Sequence, residues 1–547
     1  MAHRSNSAAR LHSHWTRRLP LPARRVAVAA AVAVLATTLA TAPALAAAAA
    51  APAGADAPLA DAVQRLDRAA IDHLLAAGGS PALDARQVDG MTALHWAAYH
   101  DDAALVARLL DAGADVGTEN RYGVTALSLA AENANVAMIE RLLGAGADPN
   151  TTLPGGETIL MTAARTGRIG AVRALVARGA DVEAREPARG QTPLMWAAAE
   201  GHADVVETLI EIGADFRTPL DSGFTPLLFA VREGHLDVVR TLLSAGADVN
   251  RAVATVAPRG RQYRAGRPIR VGTTPLLVAV TNAHWEVAAA LLDAGADPNA
   301  DGTGHTVLHL IPKVRKPGGG DNDPAPYGSG LLSSLDFVRR LAASGAELDA
   351  RMTERRNLNN TRHREAGSTP FMLAALVADA ELMRTLAELG ADPLARNDEF
   401  STPLMAAAGL GTRSPGEDAG TEEEVLEAVQ VALDLGADIN AVDDNGETAM
   451  HGAAYKNLPR VVEFLAANGA HVDVWNVENR YGWTPLTIAR GYRFGNFKPS
   501  PVTVAAIERV LHDAGISPET DDDAEGVDIY APRRPAAAGA PQPTPPR

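Results

Sequence analysis

A tetrapeptide that opens with threonine returns eleven times along the chain, and its spacing limits the possible folds more than any other feature. The copies are Thr92-Ala-Leu-His, Thr125-Ala-Leu-Ser, Thr158-Ile-Leu-Met, Thr192-Pro-Leu-Met, Thr225-Pro-Leu-Leu, Thr274-Pro-Leu-Leu, Thr306-Val-Leu-His, Thr369-Pro-Phe-Met, Thr402-Pro-Leu-Met, Thr448-Ala-Met-His and Thr484-Pro-Leu-Thr. The first five stand 33, 33, 34 and 33 residues apart; the later intervals are 49, 32, 63, 33, 46 and 36. A second motif keeps step. Gly-Ala-Asp or a near variant closes each unit, from Gly113 through Gly146, Gly179, Gly213, Gly246, Gly295, Gly345, Gly390, Gly436 and Gly469, and the last unit ends on Ala514-Gly515-Ile516. Units that pack only on their neighbours let a chain of 547 residues fold without one large core.

Each motif position has a physical reason. Threonine caps a helix, because its hydroxyl accepts a bond from an unpaired first-turn amide. Proline suits the next position, where no amide is missed. Alanine pairs such as Ala197-Ala198 allow close packing of a short first helix. Glu200-Gly201-His202 breaks that helix, and Val238-Val239 with Leu242-Leu243 puts an apolar stripe on a second one. Gly246 supplies the left-handed residue that ends it, and Asp, Asn and Gly lead through a tight turn to the next threonine.

With these residues in place, the chain resembles the ankyrin repeat family over about residues 60–516, most closely from Gly223 to Asn250. The resemblance implies an all-α solenoid of about eleven helix-turn-helix units with hairpin loops between them, and long insertions in the C-terminal half. The reading places repeats at 89–516 and an N-terminal half-repeat cap, a lone second helix, within 61–88. It places a linker at 47–60 and a disordered, acidic then Pro- and Ala-rich tail at 517–547.

The first 46 residues read as a signal peptide: six arginines and no acid, an apolar run from Val26 to Leu39, and an Ala44-Leu45-Ala46 cleavage site. The expected location is periplasmic or secreted, with no membrane span after cleavage and a monomeric state. An uncleaved membrane anchor is the alternative, and Sec and Tat export both stay open. The 4 lysines against 46 arginines read as the coding bias of a GC-rich, bacterial genome. Without its leader the chain would keep 44 basic against 66 acidic residues, a surface that repels nucleic acid and anionic lipid.

Several chemistries are excluded or weak. The absence of cysteine removes disulfides, thiolate metal sites and a cysteine nucleophile. There is no H-E-x-x-H, Walker A or G-x-S-x-G pattern, so no catalytic residue, metal ligand or cofactor is assigned. Asp321 and Asp323 near Gly318-Gly319-Gly320 are too few oxygens for calcium. His202, His235 and His284 fall in inter-helix turns, where a structural role is expected. The resemblance gives His95, His309 and His451 the task of tying adjacent turns by hydrogen bonds.

The expected function is binding of another protein through hairpin loops and inner-helix faces. Carried over position by position, the resemblance assigns that surface to Tyr99, His100, Arg165, Glu200, Arg232, Glu233, Tyr455 and Lys456, with Phe224 and Trp483. Tyr122 and Tyr481 lie at hairpin tips in matching Asn-Arg-Tyr-Gly segments. Two Arg-rich insertions, 251–271 and 350–367, fall between units and add Arg259, Arg261, Arg264, Arg267, Arg355 and Arg356. Three more, at 312–334, 409–424 and 491–501, fall within units, and the middle one is acidic. Together they suggest a basic hairpin edge and an acidic opposite edge. Two rival readings stay open: an enzyme or metal-dependent protein that uses the long loops, and a polyanion binder that uses the Arg-rich ones.

Overall fold

Threonine side chains set the start of the first helix in every unit. In nine units the hydroxyl accepts the amide three residues on, with the threonine itself in extended backbone. In the other two, Thr306 and Thr448 turn the hydroxyl to the Nδ1 of His309 and His451, at 2.9 and 3.1 Å. The structure is a computed structural model that describes residues 57–517, apart from 78–82, 154, 255–269, 319–325, 327, 354–364, 414, 417 and 493–498. All the described residues belong to one compact unit of the chain.

Each motif opens a helix pair, such as Pro193–Glu200 with Ala203–Ile212 and Pro226–Glu233 with Leu236–Ser244. First helices pack on the first helices of the neighbouring units, and second helices on second. The buried residues join into one apolar cluster from Leu59 to Leu511, made mostly of Ala, Leu and Val. Burial of that continuous face is what holds short helices in place, since pieces of this length are marginal alone. Among the described residues the chain is all-helical apart from one isolated bridge between Thr152 and Thr158.

Side chains also fix the joints between units. Asn150 donates to the carbonyl of Gly179 at 3.0 Å and accepts from the amide of Asp181 at 2.8 Å. The same clamp joins Asn250 to Gly295 and Asp297, Asn299 to Gly345 and Glu347, and Asn440 to Gly469 and His471. At the opposite end, the imidazoles of His202, His235 and His284 reach back to the carbonyls of Arg165, Ala199 and Arg232 at 2.9–3.1 Å. The expected structural role of these three histidines is what the geometry shows.

The structure corrects four boundaries. The N-terminal cap is a full helix pair, Pro58–Gln64 and Arg68–Ala77, and begins inside the segment read as linker. Its first helix packs on that of the first unit, so apolar burial builds a twelfth pair without the threonine motif. Val307–Arg315 runs through Pro312, so the insertion assigned from 312 starts later. Glu422, Glu423 and Glu424 are not loop residues but the first turn of Glu422–Asp434, where a helix N-terminus favours carboxylates. Pro501 likewise opens the last helix, Pro501–Asp513, behind a Ser500 cap. A further helical turn, Val472–Trp475, stands between units ten and eleven where the sequence suggested only a turn. Residues 1–56 and 518–547 lie outside the described residues, so the leader and most of the tail and linker do too.

Candidate partner-binding surface

The fourth residue after each motif threonine lies on the first helix of its unit. In units one, four and five it is aromatic: Trp96, Trp196 and Phe229. Trp96 donates its indole N–H to Gln87 at 2.7 Å. It meets Tyr99 edge-on at 5.4 Å and stacks with His100 at 5.9 Å. Tyr99 keeps 40% of its surface in solvent. Three predicted or adjoining residues thus form one aromatic patch on the first unit.

Charged groups lie between the rings. The Arg165 guanidinium sits 6.0 Å from the centre of the Trp196 ring and 3.6 Å from Glu157. Burial pushes the Glu132 carboxyl up from its usual range, and Arg165 opposes that shift. Arg232 lies 5.2 and 5.3 Å from the Phe224 and Phe229 rings and pairs with Glu233 at 2.9 Å. Glu200 and Glu233 are exposed. Units one, three, four and five therefore bring Tyr99, His100, Arg165, Glu200, Arg232 and Glu233 to the ends of their first helices. Cations held over aromatic faces in this way are worth roughly 0.5–1 kcal/mol each when exposed.

Four of the expected contact residues are buried instead. Phe224 packs its ring 5.1 Å from that of Phe229, inside the hairpin. Trp483 is buried beside Tyr481, with ring centres 5.2 Å apart. Tyr455 donates its hydroxyl to Glu447 at 2.7 Å, and Asn479 donates to both at 2.8 and 3.2 Å. Lys456 donates to the carbonyl of Ala419 beneath the insertion of unit nine, and burial lowers it to about 8. Tyr455 is covered by the next hairpin and Lys456 by an inserted loop, whereas Phe224 and Trp483 pack against rings of their own units.

Both hairpin tyrosines are exposed, Tyr122 to 60% and Tyr481 to 38%. Their loops share one geometry. Asn120 accepts from the amides of Tyr122 and Val124, as Asn479 does from those of Tyr481 and Trp483. Arg259, Arg261, Arg264, Arg267, Arg355 and Arg356 lie outside the described residues, as do Asp321 and Asp323. The described hairpins of units nine and ten bring acids to that edge, namely Asp398, Glu399, Asp443 and Asp444.

Sequence reasoning missed a network at the inter-helix turns. Arg315 donates to Asp379 at 2.6 Å and to Glu381 at 3.0 Å. Lys316 donates to Glu424 at 2.8 Å and to the carbonyl of Ala378 at 2.9 Å, which holds the Glu424 carboxyl down to about 2. Glu424 of the acidic segment is thus tied to a cation from another unit, and Glu423 pairs with Arg460 of the next unit at 3.5 Å. Scarcity was the available signal, since Lys316 is one of only four lysines.

His95 and His309 do what the resemblance implied. Each Nδ1 meets its own motif threonine, while Nε2 reaches the carbonyl of Val124 at 2.8 Å or Ser368 at 3.2 Å. Among the described residues no cluster of three or more His, Asp or Glu could hold a metal ion, and no helix is long and apolar enough to cross a membrane.

A model of three ankyrin repeats matches residues 59–153, 127–220, 160–252 and 419–496, and a single-repeat model matches 271–302. Together they cover more than half of the chain. An E3 ubiquitin-protein ligase KEG from Arabidopsis thaliana is 27% identical over 161 residues, 28% of this chain and 9% of that protein. Ankyrin repeat, SAM and basic leucine zipper domain-containing protein 1 from Dasypus novemcinctus is 36% identical over 136 residues, 25% of this chain and 24% of its own length. Neurogenic locus notch homolog protein 1 from Homo sapiens is 33% identical over 191 residues, 35% of this chain and 6% of its own. The chain thus spans a quarter or less of each of these relatives. A crystal structure of the human ASB11 ankyrin repeat domain matches with a TM-score of 0.36 and 25% identity, over 44% of this chain and 99% of that one.

Proposed function

The chain belongs to the ankyrin repeat family, and from that premise we propose that it is an exported, non-catalytic scaffold that binds a partner protein. The carrying observation is the row on the first helices of units one to five. There Trp96, Tyr99 and His100 form an aromatic patch, and Arg165 and Arg232 are held against rings with carboxylates alongside. Aromatic and arginine side chains supply most of the binding energy at protein interfaces. Fixed on stacked helices, they lose little freedom on association. Export rests on the basic and apolar first 46 residues.

Capture from the exported fraction with the full chain as bait tests this reading. A specific partner is expected, and it should be lost when Tyr99, Arg165 and Arg232 are changed together to Ala. No specific partner, or turnover of a substrate in a metabolite screen, would overturn it.

A further inference from the structure

In ten of the eleven units the residue two places before the motif threonine is glycine, with φ between +68° and +87°. Unit nine has Phe400 there, at φ +59° and with 55% of its surface exposed. A bulky side chain in the left-handed region is a genuine outlier. The loop itself does not need it. Asn397 accepts from the amides of Glu399 and Ser401 at 3.1 and 2.8 Å, the clamp that Asn120 makes around Gly123. Glycine would satisfy the same geometry, and an exposed ring adds nothing to the core. Strain kept without a folding benefit points to a contact made outside the molecule.

The surroundings fit such a contact. Hairpin tips from unit eight to unit eleven are stitched by backbone bonds: Asp398 N to Ala366 O at 3.2 Å, Asp444 N to Glu399 O at 3.0 Å, Arg480 N to Asn445 O at 2.8 Å. Along these successive hairpins Val442, Val477 and Tyr481 are exposed, as Phe400 is. On the same hairpins Asp398, Asp444 and Glu478 are exposed, and Glu399 is half-buried. Arg351 is engaged with Asp398 and with the carbonyl of Arg396, and Arg480 with Asn445 and the Tyr481 ring. Exposed Asp398 and Asp444, with half-buried Glu399, make the tips of units nine and ten acidic.

We propose that Phe400 is an anchor residue that enters an apolar pocket rimmed by basic side chains on a partner protein, with Val442 and Tyr481 as flanking contacts. This rests on the reading of the chain as a protein-binding array and names a second surface for it. The kind of partner follows from the charge: a basic rim complements the acidic tips, and a central ring fills a desolvated pocket.

The test places a photoreactive p-benzoylphenylalanine at position 400 of the full chain in its own cells, with Val88, an exposed apolar residue of the first hairpin, as the control site. The expected result is a cross-link from 400 but not 88 to another protein, at an apolar pocket flanked by Lys or Arg. Excess wild-type chain should abolish it, and excess Phe400→Gly chain should not. Cross-linking only to a second copy, only to residues 354–364 of this chain, equally from 88, or not at all overturns the proposal. A second measurement needs no partner: Phe400→Gly should melt higher than the parent, and a lower melting temperature would show that the ring serves the fold. If capture from the exported fraction still returns a partner that Phe400→Gly leaves untouched, this assignment falls and the broader reading stands.

Discussion

Tyr455 donates its phenolic hydrogen to Glu447 across 2.7 Å, and the carboxyl that accepts it is 7% exposed. Burial raises that carboxyl to about 7, so folding takes up a proton between the ordinary value of 4.5 and 7. Stability contributed by this site is full below pH 4.5 and falls as pH rises toward 7. Glu447→Gln keeps an acceptor for Tyr455 and Asn479 and removes the ionisation. Urea unfolding of parent and variant between pH 4.5 and 8 should show the variant gaining on the parent, by on the order of 3 kcal/mol above pH 7. Parallel curves would show that Glu447 ionises normally. The parent alone is a poor readout, because His309 has the opposite sign. Burial lowers it to about 4, so its contribution is present above pH 6.5 and is lost as pH falls through 4.

Gly201 and His235 share one space. A Cβ on Gly201 would stand 2.6 Å from the His235 Nδ1, at a backbone φ of +87°. At Gly213, φ is +105° and the space is open. Gly213→Ala should therefore cost only the left-handed penalty, about 1–2 kcal/mol. Gly201→Ala should cost more than that, and adding His235→Ala should return part of the excess, a coupling read from a double-mutant cycle by thermal or urea unfolding. Additive effects would mean that the imidazole moves aside freely.

Arg315 holds a carboxylate with almost no access to water, since the Asp379 side chain is 2% exposed. Asp379 also caps the helix Ala380–Glu388 by accepting from Leu382 at 3.1 Å. Arg315→Ala strands that charge and should cost about 3 kcal/mol or more. Arg108→Ala removes an ion pair with Asp72 whose side chains are 52% and 63% exposed, and should cost under about 1 kcal/mol. Calorimetry on both variants checks the contrast, and equal losses would contradict it.

The stack itself was legible because its signals are local. A threonine cap, a proline without an amide and a glycine in left-handed backbone each act within a few residues, so their phase marks the units. The cap pair was half seen, since its first helix starts after Ala57 with no side-chain cap and is held by burial of Leu59, Ala60, Ala62 and Val63. Surface assignments fared unevenly for a related reason. Position in a repeat says which way Tyr455 and Lys456 point in a regular unit, but not that an Asn479 hairpin or the 409–421 loop lies over them. The repeat motif does not mark Phe400, which stands where one unit departs from the glycine that the others share.

The clamp that joins Asn150 to Gly179 spans 29 residues, and the one that joins Asn250 to Gly295 spans 45, with near-identical bond lengths. Added chain between those units therefore leaves the joint unaltered. Mutation can lengthen, shorten or rewrite such a segment while the load-carrying contacts keep their partners. The array thus separates inheritance of the scaffold from variation in what it displays, and new specificities can arise at the tips without passing through an unstable ancestor.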